Sequence, residues 1–119
     1  MKRVVEIAMF TEDVDGMATF YERLLGATPV ARAQGMAIFD VGGVKLLIHE
    51  TSTLAVGEPP NEDHIAYAVP DVGTACQQLA EKGLTVEIEP RDYYWGRSAY
   101  LRDPAGHLLE LQEVETTAH

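Results

Sequence analysis

Hydrophobic residues recur along this chain with two periods, and each period is used twice. Val5, Ile7 and Met9 alternate with Glu6, Ala8 and Phe10, the period of two expected of a strand with one face packed. Met17, Phe20, Tyr21, Leu24 and Leu25 follow at i, i+3, i+4, i+7 and i+8, which predicts an amphipathic helix. Further along, Ile65, Tyr67 and Val69 alternate with His64, Ala66 and Ala68, and Val72, Ala75, Cys76, Leu79 and Ala80 repeat the helical spacing. Asp13 and Asp71 stand where an N-cap is needed, and Gly26 and Gly83 where a helix ends.

The two halves therefore read as copies. "VEIAMFTEDV" (5–14) lies over "DHIAYAVPDV" (63–72) at an offset of 58, with Glu6 over His64, Ile7 over Ile65 and Ala8 over Ala66. "AIFDVGGVKLLIHE" (37–50) can be laid over "AYLRDPAGHLLELQ" (99–112), with Gly43 over Gly106 at an offset of 63. Both read as a strand, a tight turn and a second strand. A β-prone piece precedes each hairpin, "TPVARA" (28–33) and "LTVEIE" (84–89). The expectation is an α+β domain of two βαβββ modules, 1–50 and 63–119, joined by a Gly- and Pro-containing linker over 51–62.

Composition adds exclusions. With 9 basic and 19 acidic residues the formal charge is −10, unsuited to phosphate backbones or anionic membrane surfaces. Neither nucleic acid nor membrane is expected as a partner. The single Cys76 cannot close an internal disulfide, and no long apolar run or secretory h-region is visible, so a cytoplasmic protein is expected. Cys76 falls on the helix stripe and is expected in the core.

Strand parity assigns faces to the polar residues. The bulky rows suit packing under the helices, leaving Glu6 and His64 on the opposite rows, each followed by small alanines that leave room. In "HLLELQE", Leu109 and Leu111 can face a helix while Leu108, Glu110 and Gln112 face away. A buried carboxylate needs a compensating partner or a metal. If the sheets curve around a shared cleft, Glu6, His64 and Glu110 converge there. A His64–Glu110 hydrogen bond without metal would satisfy the same residues. Asp103 is expected to initiate the turn before the last strand, and His107 to be exposed.

The βαβββ duplication, "DHIAYAVPDV" and "WGRSAYLRDPAGHLLELQE" together resemble the vicinal oxygen chelate superfamily, which includes glyoxalase I, methylmalonyl-CoA epimerase, extradiol dioxygenases, fosfomycin-resistance enzymes and bleomycin-resistance binding proteins. The resemblance spans essentially the whole chain and is most specific in "DPAGHLLEL". It implies a curved mixed sheet around a cleft, with metal ligands from the first and last strands of each half. These positions fall on His64 and Glu110, which match the family pattern, on Glu6, where His is common, and on Leu47, which cannot ligate. A Glu6, His64 and Glu110 set suits Zn, Ni, Mn or Fe, but departs from the two-His, one-carboxylate set of non-haem iron oxygenases, so the dioxygenase reading ranks low.

The resemblance implies a metal-dependent lyase or isomerase of the glyoxalase type, acting on a small oxygen-chelating substrate through a metal-stabilised enediolate. Glu110 or Glu6 would move the proton. The rival is a metal-free protein that sequesters an antibiotic or toxin, as bleomycin-resistance proteins do, with the net negative charge attracting a cationic ligand. In "RDYYWGRS" (91–98), Tyr93, Tyr94, Trp95 and Arg97 form an aromatic, basic loop expected to contact the ligand, with His49 a further candidate. Such a loop would equally cover a sheet edge or a subunit interface. Family members usually pair as homodimers, and a homodimer is expected here.

Overall fold

Both predicted helices form, each begun by its predicted aspartate. The computed structural model describes residues 3–51 and 60–114. The linker residues 52–59, and His119 at the end of the chain, lie outside the described residues. The chain runs β1 (Val4–Thr11), α1 (Val14–Leu25), β2 (Ala31–Ala33), β3 (Met36–Val41), β4 (Val44–Glu50), β5 (His64–Val69), α2 (Val72–Glu81), β6 (Val86–Tyr93), β7 (Gly96–Arg102) and β8 (Leu108–Glu113). That is βαβββ twice, the order expected from the repeat. The chain divides into two compact units, Val5–Asp63 and a second comprising Met1–Val4 with His64–His119. The first residues group with the second module, where the Ala68 N–H donates to the Arg3 carbonyl at 2.9 Å.

In the first module the strand order is β2-β3-β4-β1. β1 lies parallel to β4, with Glu6 opposite Lys45 and Ala8 opposite Leu47. β3 and β4 are an antiparallel hairpin closed at Gly42-Gly43. Both glycines have positive φ, 59° and 90°, the pair a two-residue type I′ turn demands. Asp40 Oδ1 accepts from the Gly43 N–H at 3.1 Å. Asp13 accepts from the Gly16 N–H, and Gly26 ends α1 in the left-handed conformation, satisfying donors and carbonyls that the helix ends leave open. The core gathers Ala18, Ala37, Phe39, Leu46 and Ile48, with Ile7, Met9, Val14, Met17 and Tyr21 packed against it.

One detail of α1 differs from the sequence reading. Phe20, Leu24 and Leu25 remain 58%, 64% and 37% exposed. The buried stripe runs through Val14, Met17, Ala18 and Tyr21, so the helix is rotated until Phe20 lies about a third of a turn from the centre of that stripe. Ala18, fully buried, permits close approach of helix to sheet, which a phenylalanine at the contact would prevent.

The second module repeats the plan in the order β5-β8-β7-β6. β5 and β8 are parallel, with His64 opposite Leu108 and Ala66 opposite Glu110. Asp71 accepts from the Thr74 N–H to cap α2. The core is Val69, Val72, Ala75, Cys76, Leu79, Ala99, Leu101 and Leu111, with Tyr67, Val86 and Leu109 packed against it. Ala80, at the edge of the predicted stripe, is exposed. The segment expected to be a loop at 91–98 is mostly strand. β6 continues to Tyr93, Tyr94-Trp95 make the turn and β7 starts at Gly96. Among the described residues no helix is long and apolar enough to cross a membrane.

Candidate metal centre

Glu110 is 1% exposed and His64 8%, and the second module explains how a carboxylate tolerates that burial. β8 alternates Leu109 and Leu111, which pack toward α2, with Leu108, Glu110 and Gln112 on the other face. On that face Ala66 of β5 and Tyr100 of β7 are the direct strand neighbours of Glu110. Alanine beside it leaves space for His64, whose Nε2 lies 3.0 Å from Glu110 Oε1. The other carboxylate oxygen is held from β7 and from β8 itself. The Ser98 hydroxyl donates to Oε2 at 2.7 Å, and the Gln112 amide donates to the same oxygen at 3.3 Å. The Trp95 indole N–H in turn donates to Ser98 Oγ at 3.0 Å. Both oxygens of the buried carboxylate are thus partnered, as burial requires.

An aromatic wall adjoins this network. The Tyr100 ring meets His64 edge-on at 5.8 Å and Tyr93 at 6.1 Å. Tyr93 stacks on Trp95 at 4.7 Å with the planes 10° apart. The Tyr93 hydroxyl is buried without a hydrogen-bond partner among the described residues. Burial pushes the Tyr93 phenol up; nearby Arg91 partly offsets this and the Glu110 charge adds to it. The group therefore stays protonated, a donor awaiting an acceptor.

The other predicted site residues are placed differently. Tyr94 points outward, 87% exposed, meeting Trp95 edge-on at 4.8 Å. Arg97 shares its parity on β7 with Ala99 and Leu101, the row that packs toward α2, and its Nη1 lies 3.4 Å from Asp92 across the hairpin. The structure does not bring it to the face that carries Glu110. His49, on β4 of the first module, places Nδ1 2.9 Å from the Glu50 carbonyl oxygen and rests its ring against Phe10 at 5.5 Å. Glu6 is half-buried on β1.

The repeat gives Glu6 and Leu47 their counterparts in the second module. An offset of 58 carries Glu6 to His64, and 63 carries Leu47 to Glu110, matching the registers Ala8 opposite Leu47 and Ala66 opposite Glu110. Leu47 is therefore the counterpart of Glu110 in the first module and offers no ligand atom, as expected. Cys76 is buried on α2, and burial pushes its thiol up, placing it in the core. Asp103 accepts from the Ala105 and His107 N–H groups at 3.0 and 2.9 Å, organising the turn before β8, with His107 exposed.

Sequence reading put Gln112 on the face of Glu110 without giving it a role, and missed Ser98. The signal was present, because Ser98 and Tyr100 alternate with Ala99 and Leu101 and so share the parity of Glu110. What the sequence did not show was that the turn folds Trp95 back onto Ser98.

The fold is thus α+β, built of duplicated βαβββ modules, and in the second a buried His64–Glu110 pair lies on the sheet face turned from the helix. Residues 3–111 match the Glyoxalase/Bleomycin resistance protein/Dioxygenase superfamily, and the chain belongs to it. It is 26% identical to YraH, an uncharacterized protein of Bacillus subtilis, over 127 aligned positions covering 94% of this chain and 98% of that one. A hypothetical protein of Bacillus halodurans shares the fold with a TM-score of 0.75 at 22% identity, covering 98% of this chain and 97% of the other. Methylmalonyl-CoA epimerase of Streptomyces coelicolor, solved in complex with 2-nitronate-propionyl-CoA, is similar at a TM-score of 0.68 and 26% identity, over 98% of this chain and 95% of that one.

Proposed function

We propose that this chain is a metal-dependent enzyme of the lyase or isomerase type, in which Glu6, His64 and Glu110 hold a divalent cation against a small oxygen-bearing substrate. The observation that carries the reading is the buried His64–Glu110 pair, 3.0 Å apart, on the face of its sheet that no helix of the module covers. The donor set fits the group. Two carboxylates and one imidazole suit Zn, Ni, Mn or Fe, and two negative charges balance a divalent cation. Support for Glu6 comes from the repeat, which puts it at the first-module counterpart of His64.

A bound ion would supply Lewis-acid polarisation of a substrate oxygen. The protein's own groups divide the remaining work. Glu110, with both oxygens hydrogen-bonded and 1% exposed, is built to stay in place. Glu6, half-buried, is the carboxylate suited to take up and return a proton at a substrate carbon. The Tyr93 hydroxyl, lacking an internal acceptor among the described residues, would donate to a polar group of the substrate. The stacked Tyr93–Trp95 pair would form an apolar wall beside it. Metal analysis of protein purified without chelators tests the proposal, together with calorimetric titration of Mn²⁺ and Zn²⁺ into wild type and Glu110→Gln. Binding by wild type and its loss in the variant is the expected result, and no uptake by wild type refutes it. A homodimeric assembly belongs to the same reading and is checked by light scattering.

One observation favours a second reading. With Glu110 satisfied by His64, Ser98 and Gln112, the pair is stable without an ion, as a metal-free sequestering protein would need. Nanomolar-to-micromolar binding of a cationic aromatic drug by chelator-treated protein, with no metal uptake, would select it.

A further inference from the structure

Trp95 and Ser98 form a directed donor chain that ends on Glu110. An indole N–H can only donate, so Ser98 Oγ, 3.0 Å from Trp95 Nε1, is the acceptor there. The serine proton is then left for Glu110 Oε2 at 2.7 Å. Ser98 is fully buried, so no water competes for either bond. Gln112 donates to the same oxygen at 3.3 Å. The two donors occupy Oε2 and leave Oε1 turned to His64 Nε2.

We infer that Ser98 is the positioning residue of the proposed metal centre. Its direction set by Trp95, it ties down Oε2 so that Glu110 offers a cation Oε1 alone. The same chain links the aromatic turn at Tyr94–Trp95 to the state of the site. The carboxylate is thereby kept from swinging or from chelating through both oxygens, the role that groups behind a ligand commonly play. This inference rests on the metal-binding reading above.

The test compares the full chain with Ser98→Ala, Ser98→Thr and Trp95→Phe. Each is titrated with Zn²⁺ by calorimetry, and in the three proteins that keep the single tryptophan its indole N–H resonance is followed by NMR. Wild type is expected to bind and to shift that resonance as it loads. Ser98→Ala should bind about 10- to 100-fold more weakly, with an indole resonance that no longer responds to metal. Ser98→Thr, which keeps the hydroxyl, should restore most of the affinity. Trp95→Phe, which keeps a ring and loses the donor, should fall between. Equal affinity in Ser98→Ala and wild type overturns the inference, as does an indole resonance indifferent to saturation of the wild type. Should Ser98→Ala not fold, unchanged affinity in Trp95→Phe overturns it instead. No uptake by wild type overturns the metal-binding reading together with this one, and is told apart because the wild type itself then fails.

Discussion

Replacing His64 by leucine would remove the imidazole and leave Glu110 buried beside an apolar group of similar volume. The carboxylate keeps Ser98 and Gln112 as donors to Oε2, but Oε1 loses its partner at 3.0 Å. At 1% exposure water cannot replace it without opening the site. Leaving a buried carboxylate oxygen without its hydrogen-bond donor costs about 1–3 kcal/mol. With an unfolding entropy of roughly 2.1 cal/mol/K per residue over 119 residues, 1 kcal/mol corresponds to about 4 °C in Tm. The expected fall is therefore about 4–12 °C, measured by circular dichroism in EDTA at neutral pH so that no metal contributes. His64→Leu combined with Glu110→Met removes both polar groups and should recover most of the loss, because an apolar pair avoids the desolvation cost. In excess divalent metal, wild type should gain about 2.7 kcal/mol at a hundredfold excess over Kd, and His64→Leu should gain little. A His64→Leu variant melting within 2 °C or so of wild type in EDTA would refute the claim that this pair is a coupled, buried unit.

Other outcomes follow from the same geometry. Asp71 is held below the usual carboxylate range chiefly by the Thr74 N–H, and Asp103 chiefly by the His107 N–H. The unfolded chain therefore takes up protons first as pH drops, so their contribution is present above an ordinary carboxylate pKa of 3.8 and lost as pH falls through the lower folded values. Melts between pH 5 and 2 should show a shallower acid loss for Asp71→Asn/Asp103→Asn; an unchanged slope contradicts this. Gly43→Ala forces a side chain onto φ 90° and should cost about 1–2 kcal/mol, read from urea midpoints; a neutral result would mean the hairpin does not need the left-handed turn. Cys76, 7% exposed with its thiol raised by burial, should react with a thiol reagent far more slowly in native protein than in urea. Equal rates would place it at the surface.

The two modules carry the same register but different chemistry. In each, the first strand runs parallel to the last, and the residues at matched positions are Ala8 opposite Leu47 and Ala66 opposite Glu110. Leucine at one point and glutamate at the other give the two sheet faces different polar content under the same pairing, because strand pairing is made by backbone groups. A duplicated fold can in this way keep two cores alike while specialising one module to hold a buried acid.

Much of this was written in local pattern. The capping aspartates, the Gly42-Gly43 turn, the helix-facing rows and the solvent-averse parity of His64 and Glu110 follow from periodicities of two and 3.6 and from the φ preferences of glycine. These depend on neighbours within a few positions along the chain. Tertiary structure decided the remainder. The rotation of α1 toward Ala18 came from how closely helix and sheet could approach. The two-residue turn, which pairs Tyr93 with Gly96, put the Trp95 indole on Ser98. Which donor reaches a given carboxylate oxygen is a matter of tenths of an ångström between strands, and such distances arise only when the whole sheet is assembled.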